Sequence, residues 1–530
     1  MSPLSDQQVD QLAREVIRSL TAGGQGAGPS PSASPAAPAD PASTCGPRPP
    51  AAAAQPGSGT TAPATPRAER RTTSPPPSAT SRPASAPGAG SGVFATLDEA
   101  VAAAERAFRE LDAMTLARRE DIIASIRASM LEHAVDLAER ARAETGLGRA
   151  EDKVVKNRLV TLKTPGTEDL RPIAVSGDHG LTLMERAPYG VIGAVTPSTN
   201  PTSTIICNTI GMVAAGNAVV FNVHPAAKEV SNYNIALLNQ AILRAGGPAT
   251  LVTAVADPTI ESAQALMKHP GIRLLVVTGG GAVVQVAMAS GKRAICAGPG
   301  NPPVVVDETA DLELAGRQIV RGASFDNNVI CTDEKEVFVV SSVADQLLRV
   351  MASNGAMILD RAQAKALEKV VFTEIRPPRQ VSVINRELIG RNAGVILSKI
   401  GIRAGDEVRL AVVDVDADHP LVWTEQLMPV LPVVRVRSGD EAIDLAVAAE
   451  GGRRHTASIF SRNIDRLSRM ARLINCSIFV KNGPCFAGLG EGGEGYCSFS
   501  IASPTGEGMT GPRSFSRERR CVLVDHFRIV

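Results

Sequence analysis

Short apolar runs alternate with stretches of three-to-four apolar spacing over most of the chain from residue 189 onward. The runs at 191–195, 218–222, 251–255, 272–278 and 293–297 predict strands. The spacing around 203–215, 226–244, 259–268 and 281–290 predicts helices between them. Strands whose apolar residues fall on both faces, joined through helices, predict a parallel sheet covered on both faces. That is the doubly wound arrangement in which nucleotides bind. A second α/β stretch follows, with strands predicted at 336–340, 457–460 and 477–481 and helices at 343–351 and 465–474. A further helix ends at 318–323, just ahead of a polar loop. Before both stretches, 97–112 and 116–143 have helical periodicity. The strands predicted at 181–186 and 521–524 belong to neither sheet. Leftover strands of this kind are expected to pair between subunits, so an oligomer is expected.

The first part of the chain reads differently. Residues 1–20 carry one apolar stripe through Val9, Leu12, Val16, Ile17 and Leu20, with Ser5 and Gln8 fitting a capping box and Gly23 and Gly24 ending the pattern. Residues 21–92 contain no Val, Ile, Leu, Met, Phe, Trp or Tyr. Such a segment has too little apolar surface to offset the entropy of ordering, so a disordered tether is expected. A striped helix on a long tether is read either as a terminus that docks on its own domain or as a peptide for a groove on another protein. The length of the tether favours the second.

Composition narrows the function. A length of 530 residues predicts two or three domains. The net charge of +1 provides no field for nucleic acid or membrane surfaces. Aromatic residues are 3% of the chain, too few for a base-stacking platform. No apolar run approaches the roughly 18–20 residues of a membrane span, and no secretory leader is read at the N-terminus. The eight cysteines form no CxxC pair and no zinc spacing, which suits free thiols in a cytoplasmic setting.

Three places carry candidate chemistry. Cys331, at the centre of "FDNNVICTDEKEVF", is either a small buried apolar residue or a nucleophile. In "TGGGAVVQVAMASG", Gly279, Gly280 and Gly281 stand where a strand turns into a helix, a place where backbone can approach a pyrophosphate. The G-x-G-x-x-G spacing is not met, and a tight strand–helix turn explains the glycines as well. His224, in "VHPAAK" after a predicted strand, is either a solvated loop histidine or a contact to a ribose or adenine edge.

Several stretches together resemble one family. "GVIGAVTPSTNPTSTII", "GNAVVFNVHPAAK", "VVTGGG", "CAGPGNPPVVVD", "DNNVICTDEKEVF" and "EQLMPVLPVV" stand in the order and spacing of the aldehyde dehydrogenase superfamily. They most resemble its CoA-acylating branch, the propionaldehyde and acetaldehyde dehydrogenases of bacterial microcompartments, over roughly residues 93–530.

The resemblance implies an α/β fold with a Rossmann-type cofactor domain at 93–300, including an oligomerisation hairpin near 169–188. It implies an α/β catalytic domain at 301–500 and a C-terminal oligomerisation segment at 501–530, in a homodimer or homotetramer. It also implies that residues 1–20 are an encapsulation helix for shell proteins, so the protein is expected in a microcompartment lumen within the cytoplasm. By the same resemblance Cys331 is the nucleophile, and Glu425 holds the nicotinamide ribose. Thr196, Pro197, His224, Pro225, Thr278, Gly279, Gly280 and Gly298 line the dinucleotide site. Asn200 is the side-chain donor of the oxyanion hole. The commoner pattern has the Asn one residue earlier, where Thr199 stands here, so both positions are candidates.

Cys296 sharpens the reading. Hydrolytic relatives open the motif corresponding to "CAGPGNPP" with a Glu that activates water, and a thiol is a poor base for that task. A thioester on Cys331 then waits for a better nucleophile, the thiol of coenzyme A. The expected reaction oxidises a short-chain aldehyde, propanal by resemblance, with NAD+ and coenzyme A to acyl-CoA and NADH in ping-pong order. Asp333 and Glu334 would raise the Cys331 thiol if they faced it; they are expected to point away, with Lys335 offsetting them. The alternatives are a hydrolytic dehydrogenase that yields the free acid, or an inactive scaffold recruited by residues 1–20.

Overall fold

The computed structural model describes residues 91–530. The helix read at 1–20 and all but the last two positions of the tether at 21–92 lie outside the described residues. Two parallel sheets organise the rest. The first has six strands in the order Val93–Phe94, Val252–Val255, Ala218–Asn222, Val191–Val195, Leu274–Thr278 and Ala294–Ala297. Every neighbouring pair is parallel. The strand Val191–Val195 is buried at all five positions, as is Ala218–Asn222, which is why these segments carry no polar alternation. Chain order runs one way from Val191–Val195 and then jumps to its other side at Leu274–Thr278. The crevice at the carboxyl ends of these two strands is therefore a topological switch point, where open sheets of this kind take ligands. Thr196 and Thr278 stand at its two lips.

The second sheet has seven strands in the order Ala356–Leu359, Leu410–Val415, Val430–Val436, Glu336–Val340, Pro303–Val306, Thr456–Phe460 and Ile478–Lys481, again all parallel. Ala294–Ala297 ends the first sheet, and Pro303–Val306 begins the second after a crossing at 298–302. So short a crossing sets the carboxyl edge of the first sheet against the amino edge of the second. That juxtaposition is what positions the site.

The leftover strands find each other. Ile173–Gly177, Gly180–Pro188 and Ser516–Val524 form a separate antiparallel three-stranded sheet. Its outer strands are exposed almost throughout, with Ile173, Val175, Val522 and Val524 each about half exposed or more. Apolar residues on open strand edges suit a partner surface.

Two local expectations needed correction. The helical stretch at 116–143 is two helices, Leu116–Glu132 and Ala134–Thr145, with His133 between them at φ −93° and ψ 7°. Helix Ala150–Lys163 had no predicted counterpart, yet it buries Lys153, Lys156 and Asn157.

Candidate active site

Four residues of the site share one structural address. Gly300, Cys331, Glu425 and His455 each come just before a strand of the second sheet: Pro303–Val306, Glu336–Val340, Val430–Val436 and Thr456–Phe460. These strands are neighbours, so their amino ends meet along one edge. Gly300 shows how close the pieces lie. A Cβ there would sit 2.6 Å from the carbonyl oxygen of Cys331 and 3.1 Å from Cγ of His455. Only a residue without a side chain admits the nucleophile loop at this point.

The turn before Cys331 is held in an uncommon shape. Asp326, Asn327 and Asn328 have φ of 45°, 55° and 63°, three left-handed residues in succession. Each such residue costs about 1–3 kcal/mol unless its surroundings impose it, with Asp and Asn the least penalised non-glycine types. Each is tied to a different element. Asp326 accepts from Arg149 N at 2.6 Å and Lys153 Nζ at 2.9 Å, and it also pairs with Lys156. Asn327 donates to Gly390 O at 2.9 Å and Asn392 Oδ1 at 2.8 Å. Asn328 donates to Ala323 O and Glu334 O. Gly148 makes room for this, because a Cβ there would lie 1.9 Å from Asp326 Oδ1.

Behind the loop, Lys335 is wholly buried and donates to Asn328 O at 3.0 Å, Asn328 Oδ1 at 2.5 Å and Ile330 O at 3.2 Å. Asp333 and Glu334 are also buried. Their carboxylates accept from Ile330 N at 3.1 Å and Cys485 N at 2.7 Å. Burial pushes Glu334 up to about 7 and Asp333 well above the usual carboxylate range.

The Cys331 thiol is itself pushed up to about 12, first by burial and then by the charge of Glu425, against which Lys335 acts. Asp333 adds a smaller rise, while its carboxylate is engaged by Ile330 N and that of Glu334 by Cys485 N. The resting nucleophile is therefore a thiol that must lose its proton as it attacks. Removing the charge of Glu425 lowers the pKa of this thiol. Glu425→Gln is thus expected to make alkylation of Cys331 by iodoacetamide several-fold faster at fixed pH, with the rate in both proteins rising as pH rises. A slower variant would contradict this electrostatic account.

Glu425 accepts weakly from Gly300 N, at 3.4 Å, and burial raises its carboxyl. Asn200 caps the amino end of helix Pro201–Ala214, every residue of which is buried. Its Oδ1 accepts from Lys156 Nζ at 2.6 Å and its Nδ2 donates to Thr199 Oγ1 at 3.2 Å. Thr199 O lies 3.5 Å from Lys153 Nζ, whose ammonium burial lowers to about 8.

The residues assigned to a dinucleotide gather at the switch point. Thr196 and Pro197 follow Val191–Val195, and the buried Thr196 hydroxyl has no partner among the described residues. His224 and Pro225 follow Ala218–Asn222. His224 Nδ1 accepts from Ala226 N at 3.1 Å, and burial lowers its proton affinity. Thr278, Gly279 and Gly280 lead into helix Gly281–Met288. Gly280 faces open space, while Thr278 is held by Ser500 at 2.8 Å. A Cβ at Gly298 would lie 3.0 Å from Pro504 Cγ. An unpaired hydroxyl, an open glycine turn at a helix N-terminus and a carboxylate near the thiol fit a nicotinamide dinucleotide laid across this crevice.

Cys296 does not take part. It is fully buried, its Sγ lies 4.0 Å from Val284 O, and burial followed by Glu507 pushes its thiol up to about 11.

Sequence reasoning missed His455, Lys153 and Lys156. His455 is buried, its Nδ1 is 2.9 Å from Thr456 Oγ1, and its Nε2 has no partner among the described residues. Burial, then Lys335 and Arg453, lowers it to about 3, so the ring is neutral. Beside it a cavity of about 210 Å³ is lined by Pro299, Gly452, Arg453, Arg454, Ser503 and Pro504, two of them cations.

Comparison with known proteins gives the family and the overall fold. Residues 84–496 match the aldehyde dehydrogenase family. The chain is 56% identical over 440 residues to acetaldehyde dehydrogenase (acetylating) EutE of Salmonella typhimurium, covering 83% of this chain and 94% of that one. A propionaldehyde dehydrogenase from the Clostridium phytofermentans fucose utilisation bacterial microcompartment superposes with a TM-score of 0.80 at 45% identity, covering 83% of this chain and all of that one. The Rhodopseudomonas palustris propionaldehyde dehydrogenase, solved with bound CoA and an acylated cysteine, gives 0.79 at 46% identity, over 82% of this chain and 98% of that one.

Proposed function

This chain belongs to the aldehyde dehydrogenase family, and on that premise we propose that it oxidises a short-chain aldehyde with NAD+ and coenzyme A to acyl-CoA and NADH. Cys331 Sγ attacks the aldehyde carbon and its proton leaves. The oxyanion so formed is held by the Cys331 backbone N–H and the Asn200 amide. The bound dinucleotide supplies the hydride acceptor, and Glu425 orients its nicotinamide ribose. A thioester remains on Cys331; the thiol of coenzyme A adds to its carbonyl carbon, the bond from that carbon to Cys331 Sγ breaks, and Cys331 regains a proton as the coenzyme A thiol loses one. The oxyanion forms again in that second addition, so the same donors serve both halves.

The observation that carries this reading is the residue that stands at 296. The strand Ala294–Ala297, which leads into the site, carries at 296 a neutral, buried thiol turned toward Val284, not a carboxylate. Without a carboxylate at 296 to act as the base for water, the thioester persists until a better nucleophile arrives. The arginines of the cavity at Pro299 and Pro504 suit the phosphates of such a cosubstrate.

Rapid mixing with aldehyde and NAD+ tests this. Without coenzyme A, one equivalent of NADH per site is expected, followed by turnover at least about 100-fold slower than with coenzyme A. Sustained NADH and free acid without coenzyme A would favour the hydrolytic alternative.

Residues 1–20 are read as the segment that recruits this enzyme to a microcompartment shell. The striped pattern and a linker without large apolar side chains support this, as does the microcompartment origin of one structural relative. Deleting residues 1–20 is expected to leave turnover unchanged and abolish co-purification with shell particles. Retained co-purification would overturn it.

A further inference from the structure

We propose that Lys156 is a positioning residue, whose ammonium fixes the Asn200 side-chain amide with its N–H directed into the oxyanion site. The inference rests on the reading of Asn200 as oxyanion donor. An asparagine at a helix N-cap ordinarily bonds the N–H groups of the first turn. Asn200 stands at that place and makes no such bond. Its Oδ1 is taken by Lys156 Nζ at 2.6 Å. An ammonium only donates, so the amide atom facing it must be the oxygen, and the NH2 group is then forced to the other side. One N–H goes to Thr199 Oγ1 at 3.2 Å, and the second has no partner among the described residues. A cation on the oxygen also draws electron density from the nitrogen, which makes the remaining N–H a stronger donor.

Lys156 is placed to do this by the nucleophile's own turn. Its ammonium pairs with Asp326, the first residue of the left-handed run before Cys331. A single buried cation thus ties the donor helix to the nucleophile loop, fixing both halves of the site relative to one another. Lys153 explains why two lysines are present. It pairs with the same Asp326 at 2.9 Å, so this carboxylate keeps a counter-charge when Lys156 is replaced. Lys156→Met is therefore expected to fold.

The test compares Lys156→Met, Lys156→Arg, Asn200→Ala and the Met/Ala double variant of the full chain. Lys156→Met is expected to lower kcat by about 100-fold, the scale of a lost oxyanion donor. KM for aldehyde should change by less than about threefold, and the NADH burst and its discharge by coenzyme A should slow together. Iodoacetamide alkylation of Cys331 stays within about threefold of the parent, because the nucleophile loop is still anchored. The double variant is expected to be no slower than Asn200→Ala alone, since the lysine acts only through that amide. Lys156→Arg, which keeps a cationic donor, recovers at least about tenfold of the loss. Should Lys156→Met fail to fold, Lys156→Gln carries the same comparison.

A double variant whose losses multiply would show that Lys156 acts independently and would overturn the inference. So would full activity in Lys156→Met, or Lys156→Arg as slow as Lys156→Met. Those results leave a slow Asn200→Ala, and with it the oxyanion assignment, in place. Parental turnover in Asn200→Ala would instead remove the assignment and the inference together.

Discussion

Cys331→Ala is expected to abolish aldehyde-dependent NADH formation, a loss of about 10⁴-fold or more at any aldehyde concentration. Nothing else in the site can carry the acyl group. Cys296 is buried and turned away, and Cys207, Cys485 and Cys497 are buried in the core. The loss is one of chemistry and not of folding. The loop is shaped by Asp326, Asn327, Asn328 and Lys335, all of which remain. The melting temperature should shift by no more than about 2 °C, the effect of removing one half-buried sulfur. Turnover surviving at even one hundredth of the parent rate would assign the nucleophile elsewhere.

Lys335→Met is expected to have the largest effect on stability, about 3–5 kcal/mol, the scale for stripping one partner from a buried charged cluster. Lys335 offsets the charges of Asp333, Glu334, Glu336 and Glu425, all buried or nearly so. It also satisfies three oxygens of the nucleophile loop. The sign of the pH dependence follows from Glu334, whose carboxyl is raised to about 7 in the folded protein. A group raised above its unfolded value binds the extra proton only in the native state. Its stabilising effect is complete below the unfolded value, near 4.3, and is lost as pH climbs through about 7. Without Lys335 the carboxyls rise further, so the variant is expected to lose more stability at pH 8 than at pH 5.5. Urea unfolding at the two values measures this. An equal loss at both would show that the lysine acts through packing alone.

How far these features were legible depends on what each residue contacts. The strands at 191–195, 218–222 and 336–340 are buried on both faces, so their apolar runs are broken only at an end, by Asn222 and Glu336, and their bounds match. The central strand Val430–Val436 carries Pro432 and Arg435, residue types that argue against a strand interior. The break at His133 has no glycine or proline to mark it. Within the site, Cys331 and Glu425 sit in motifs whose order and spacing carried the resemblance. Lys153 and Lys156 lie in "AEDKVVKN", which reads as a solvated helix face. Only their partner Asp326, far along the chain, makes them buried residues. His455 is hidden in the same way, because the backbone it packs against, at Gly300, lies far along the chain.

Mass measurement of the intact protein after mixing with propanal and NAD+, with coenzyme A left out, tests the central claim most directly. The account predicts one propanoyl group per chain, mapped by peptide analysis to Cys331, which disappears on addition of coenzyme A as propanoyl-CoA forms in equal amount. An unmodified Cys331 under conditions that yield stoichiometric NADH, or an adduct that water removes as fast as coenzyme A does, would contradict it.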